Sequence, residues 1–181
     1  MSEQRKHIYI VISQTGTILS RIIKLLTKAE YNHASIGLSK DLDVMYSFGR
    51  LNPYNPFIGG FVKESPHYGT FKRFKNTTAR ILEVDVGEKK YEEIATMVES
   101  MWENRNNYDY NYRGLFVAAI RKPYKKKDCF YCSEFVKHIL VANSVENADK
   151  LSEIIHPMEF LKIPHKTIYT GKLSEYAKSI I

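Results

Sequence analysis

Apolar residues run almost unbroken through His7–Ser13 (HIYIVIS), where β-branched and aromatic side chains predict a buried strand. Thr15-Gly16-Thr17 breaks it. From there Ile18, Ile22, Leu25 and Leu26 recur at helical spacing, with Arg21, Lys24 and Lys28 on the outer face. The segment Asn32–Leu38 alternates instead: Ala34, Ile36 and Leu38 point one way, His33, Ser35 and Gly37 the other. A turn over Lys40–Asp43 leads into Val44–Phe48, so the two segments read as a hairpin. Gly49–Gly60 holds two prolines, two asparagines and three glycines, and reads as a long loop.

Beyond it, Thr78–Val86 turns Leu82, Val84 and Val86 inward and Glu83 and Asp85 outward, as a strand. A helix is predicted over Glu88–Asn104, with Tyr91, Ile94, Ala95, Val98, Met101 and Trp102 as its apolar stripe. Shorter helices are expected at Asn111–Ile120 and Cys132–Ala142, with a basic loop at Pro123 and Lys125–Lys127 between them. Lys166–Thr170 suggests a last strand before an amphipathic tail. Strands and helices are segregated rather than strictly alternating. That predicts an α+β fold, an antiparallel sheet packed against helices.

Composition narrows the class. The 181 residues suit one domain over 1–181, and 44% hydrophobic with 13% aromatic content excludes a disordered chain. No apolar run approaches the ~20 residues that span a bilayer. The opening Met1–Lys6 shows no signal-peptide pattern, so the expected compartment is the cytoplasm. A formal charge of +7 favours anionic partners such as nucleic acid, acidic lipid or glycan, without choosing among them, and serves simple solubility equally well.

The two cysteines, Cys129 and Cys132, are too few for a disulfide scaffold. Counting from Cys132, the apolar Phe135, Val136, Ile139 and Leu140 follow at offsets of three, four, seven and eight. This places the sulfur on the inward face of a helix, at its first turn. There the helix dipole and unpaired amides lower a thiol's pKa, favour the nucleophilic thiolate and are placed to hold an oxyanion. A buried cysteine acting as a small hydrophobe fits the same position. Cys129 lies in the loop before the helix and reads as structural. A thioredoxin-like dithiol lacks its βαβ context, and the six histidines contain no metal-ligand spacing, so neither a metal nor another cofactor is expected.

A cysteine nucleophile needs a base. His138 turns onto a different helix face from Cys132, His7 precedes the first strand, and His67, His156 and His165 each adjoin a proline. His33 opens a strand on its small, polar face, as a cleft wall requires.

His33 on an early strand, a polar residue on the next strand and Cys132 opening a late helix together resemble the circularly permuted NlpC-type papain-like superfamily. YiiX-like and lecithin:retinol acyltransferase-like proteins belong to it. The resemblance rests on Asn32–Leu38, Val44–Arg50 and Tyr131–Val136, and spans about three quarters of the chain. The chain also resembles a group of bacterial proteins that carry the Tyr46-Ser47-Phe48-Gly49-Arg50 stretch. The resemblance implies a permuted papain-like domain and thiol-based acyl transfer on an amide or ester, with Cys132 as nucleophile and His33 as base. It places the third polar group at Tyr46, with Ser47 as second choice, and a neutral phenol there would stabilise an imidazolium less than a carboxylate does. Cell-wall peptides, small amides and lipid esters are all substrates in this superfamily.

Two further features stay open. Arg121–Lys127 is a basic run that would either draw an anionic substrate or simply be solvated, and Tyr108, Tyr110, Tyr112, Tyr54 and Phe57 would either line a groove or pack beneath a loop. Two other functions remain: a binding module that kept the fold and lost turnover, for which Tyr46 is the warning sign, and a basic nucleic-acid binder using Lys125–Lys127. The second lacks any RRM, KH or zinc-finger signature.

Overall fold

The computed structural model describes residues 5–15, 29–52, 54–119, 124 and 126–180. The helix expected from Ile18 lies outside them. Eight strands are described: β1 (His7–Gln14), β2 (His33–Gly37), β3 (Met45–Asn52), β4 (Asn55–Glu64), β5 (Thr78–Asp85), β6 (Asp109–Tyr110), β7 (Cys129–Phe130) and β8 (Lys166–Lys172). The described helices are α1 (Gly69–Arg73), α2 (Gly87–Glu103), α3 (Tyr112–Ala119), α4 (Cys132–Ala142) and α5 (Leu173–Ser179).

Six strands form one antiparallel sheet in the order β4-β3-β2-β1-β5-β8, and the protein is α+β. β1 lies inside this sheet with both faces covered, which is why its sequence does not alternate. On one face Ile8, Ile10, Ile12, Ala34, Ile36, Leu82 and Val84 pack against Ile94, Val98 and Met101 of α2 and the apolar side of α4. On the other, Val11, Met45, Ala79 and Ile81 meet Phe71 of α1 and Leu173 and Tyr176 of α5. The short β6 and β7 pair in parallel and hold the entrance to α4 beside the sheet. None of the described helices is long and apolar enough to cross a membrane.

One expectation is corrected. Gly49–Gly60 is not a long loop: β3 continues to Asn52 and β4 begins at Asn55, so most of it forms a hairpin. Its glycines answer to packing. A Cβ on Gly59 would meet the Tyr110 ring at 2.7 Å, and one on Gly60 would meet Leu51 at 3.2 Å.

Candidate active site

α4 begins at Cys132 because its first turn is secured from both sides. Glu134, three residues past the N-cap, accepts the Tyr131 backbone N–H at 3.1 Å and the Asn111 side-chain amide at 3.0 Å. Asn111 in turn accepts the Gly114 N–H at 2.8 Å, which starts α3. The Tyr131 hydroxyl donates to the Ile155 carbonyl at 3.2 Å. Phe135, Val136, Ile139 and Leu140 are fully buried beneath the sheet, so the inward face read from the spacing carries the Cys132 sulfur with it.

The sheet opens to receive that sulfur. β2 and β3 are in register at Ile36↔Tyr46 and Gly37↔Met45, and towards His33 the strands part. In the parting, the Ser47 hydroxyl donates to the Ala34 carbonyl at 2.7 Å, while the Ala34 N–H turns to the Cys132 sulfur. Ser47 is therefore a strand-bridging residue.

His33 and Cys132, 99 positions apart in the chain, come within hydrogen-bonding reach of each other. The His33 Nε2–H donates to Glu64, with Nε2 2.9 Å from Oε2 and 3.1 Å from Oε1, which leaves Nδ1 for the thiol. Ser35, on the same face of β2, donates its hydroxyl to Glu64 Oε2 at 2.6 Å. Glu64 arrives from the end of β4, placed by its register with Met45. The His33 and Glu64 side chains are only 14% and 10% exposed, so little solvent screens the pair. Gly49 leaves the room they need: a Cβ there would stand 3.2 Å from Glu64 Oε1 and 3.6 Å from His33 Cε1.

Burial pushes the imidazole towards its neutral form. The Glu64 charge and the hydrogen bonds from Cys132 and Glu64 outweigh it, and hold the His33 pKa well above its ordinary value. Burial likewise resists ionisation of Cys132. The hydrogen bond and charge of His33, with the Ala34 N–H and the Ser133 hydroxyl, outweigh it and bring the thiol below its ordinary range. Both shifts favour a thiolate–imidazolium pair.

Tyr46, expected as the third polar residue, does not reach His33. Its ring sits in the core face between Phe61 and Trp102, and its hydroxyl donates to Glu99, which also pairs with Lys63 at 3.8 Å. The reason is the pleat. Tyr46 points to the same side as Ile36, whereas His33, Ser35 and Glu64 share the opposite one. Tyr46→Phe is accordingly expected to leave the Cys132 alkylation rate within about twofold of wild type and to cost about 1 kcal/mol of stability. A tenfold slower reaction in that variant would return Tyr46 to the site.

No family model, curated protein or solved structure matches this chain.

One residue escaped the sequence reading: Glu64 lies in the stretch after the expected loop, with nothing local to mark it. Tyr110, named above as either lining a groove or packing beneath a loop, lies within electrostatic reach of Cys132 and Glu64; burial, then the Cys132 charge, hold its phenol protonated far above its ordinary range. Cys129 is buried, with its sulfur 3.9 Å from an Asp109 carboxylate oxygen rather than beside His33. Of the basic run, Lys126 pairs with Asp109 at 3.7 Å. Lys126 and Lys127 line a cavity of about 540 Å³ shared with Tyr108, Cys129, His138 and Ile155, and Cys132 is not part of its wall. Arg121, Lys122 and Lys125 fall outside the described residues.

Proposed function

We propose that the protein is a cysteine-dependent hydrolase or acyltransferase of the permuted papain-like type, acting on an amide or ester through Cys132, His33 and Glu64. The observation that carries this reading is the His33 imidazole, hydrogen-bonded to Glu64, which in turn accepts from Ser35, standing within hydrogen-bonding reach of the Cys132 sulfur. Each member has the role its chemistry allows. The thiolate attacks the carbonyl carbon, a carbon–sulfur bond forms, and the carbonyl electron pair moves onto oxygen. The N–H groups of the first turn of α4 and the protonated Tyr110 hydroxyl are the donors available to that oxyanion. As it collapses, His33 gives its Nδ1 proton to the departing amine or alkoxide. Water, or another acceptor, then loses a proton to His33 and attacks the thioester, which frees the acid or new acyl product and restores the thiol. Glu64 keeps the imidazole oriented and charged, the function for which a phenol at Tyr46 is poorly suited.

The substrate is a small molecule, peptide or lipid-like acyl compound. The proposed compartment is the cytoplasm, in keeping with two thiols that remain unpaired. The test is selective alkylation. At neutral pH iodoacetamide should modify Cys132 at least about tenfold faster than Cys129, as read by peptide mass mapping, because His33 stabilises the Cys132 thiolate. Equal rates, or modification only after unfolding, would remove the nucleophile and the proposal with it.

A further inference from the structure

Positive charge is spread unevenly along this chain. Residues 44–63, 65–82 and 110–127 hold no aspartate or glutamate, although each run carries basic residues. The fold gathers these runs. The first forms β3 and β4, α1 of the second packs against both strands, and Tyr110 and Tyr112 of the third lie against Gly59 of β4. Lys72 and Arg113 are exposed there, and among the described residues neither has a carboxylate in ion-pair range.

The same runs carry the most exposed large apolar side chains among the described residues: Tyr54 at 78%, Phe116 at 60%, Leu51 at 55% and Ile58 at 50%. Leu51, Tyr54 and Ile58 belong to the β3–β4 hairpin. Tyr54, in its turn, receives the Arg73 guanidinium 3.9 Å above its ring. The Leu51 side chain lies over Gly60, whose ladder partner Gly49 borders His33 and Glu64, so the tip starts beside the candidate site. Exposed apolar groups set among cations match a partner that offers an apolar interior beneath an anionic surface, which is what an acidic bilayer presents. A nucleic acid would engage Tyr54 and the cations, but bases stack on aromatic rings and give Leu51 and Ile58 no counterpart.

We propose that the tip of the β3–β4 hairpin is a docking surface for an anionic lipid bilayer. Leu51 and Ile58 enter the acyl-chain boundary, Tyr54 lies at the headgroup level, and the cations of α1 and α3 draw the face to the lipid charge. The docking needs no thiol chemistry, and it stands whether or not Cys132 turns over a substrate.

The test is co-sedimentation with phosphatidylcholine vesicles, either pure or containing about 30% phosphatidylserine, at physiological salt. The wild type should bind the acidic vesicles at least about tenfold more tightly than the neutral ones. Leu51→Ser/Ile58→Ser keeps every charge and replaces two exposed side chains, so its Tm should hold while its affinity for acidic vesicles falls about tenfold or more. Lys72→Gln should cost about fivefold. Val141→Ser, at a position 43% exposed on α4, should bind as the wild type does. Equal binding by the wild type and Leu51→Ser/Ile58→Ser would mean attachment by net charge alone and would overturn the docking surface. A parallel loss in Val141→Ser would overturn it too. Tyr54→Trp gives an independent reading: brominated acyl chains should quench its fluorescence beyond any change at Trp102, the single tryptophan of the wild type, and no added quenching rejects insertion of the tip. Capture of a single-stranded oligonucleotide without vesicle binding would assign the face to nucleic acid and overturn the proposal.

Discussion

Glu64→Gln is expected to slow the reaction of Cys132 with iodoacetamide at neutral pH by about 10–100-fold, since an opposite charge at hydrogen-bond distance shifts a pKa by about 1–3 units. The sign follows from the linked pair. In the wild type the His33 pKa is raised above 6.5 and the Cys132 pKa is lowered below 9.0. The reactive ion pair therefore exists between the lowered thiol pKa and the raised imidazole pKa. Without the carboxylate, burial prevails at His33 and its pKa falls, so the alkaline limit of that window moves down. Cys132 then lacks a charged neighbour, its thiolate forms only at higher pH, and the acid limit moves up. A rate–pH profile that narrows from both sides supports the assignment. A profile identical to wild type would dismiss Glu64 as a member of the site. The amide leaves the hydrogen-bonding shape of the side chain nearly unchanged, so the comparison isolates charge from geometry.

Phe135→Ala carries the largest expected loss of stability, about 3–5 kcal/mol, or a fall in Tm of about 6–20 °C for a chain of this size. Phe135 is fully buried, and its ring lies 4.9 Å from Phe61 and 5.5 Å from Phe48, measured between centroids. These contacts clamp α4 onto β3 and β4, and β3 is one of the two strands that flank the opening in front of Cys132. Removing the ring leaves a cavity under the first turn of the helix, where the surrounding aromatic rings are too rigid to close it. Phe116→Ala is the matched comparison: that ring is 60% exposed, and its loss should change stability by no more than about 0.5 kcal/mol. Thermal denaturation of the two variants decides the matter, and equal Tm values would mean that the aromatic cluster does not hold the helix.

The elements with a strong local pattern were legible. α2 spans Gly87–Glu103 where the stripe predicts Glu88–Asn104, and α4 covers Cys132–Ala142 as its apolar offsets require. β8 runs two residues beyond the expected Thr170, since Gly171 and Lys172 extend its pairing with β5 although neither favours a strand. β4 was illegible for a stronger reason. Its glycines serve Tyr110 and Leu51, so its composition reports tertiary contacts instead of strand preference.

The amino-acid pattern by itself determined that a thiol would stand on the inward first turn of a helix and that an imidazole would stand on the polar face of an early strand. Those properties depend on periodicities of 3.6 and 2, which neighbouring residues alone determine. Which carboxylate meets His33 was decided only by the tertiary structure. Glu64 is placed by the Met45↔Glu64 register of the β3–β4 hairpin and by the parting of β2 from β3, while the strand face of Tyr46 turns its hydroxyl to Glu99 instead. Register and splay arise from contacts between segments distant in the chain, and no local repeat records them.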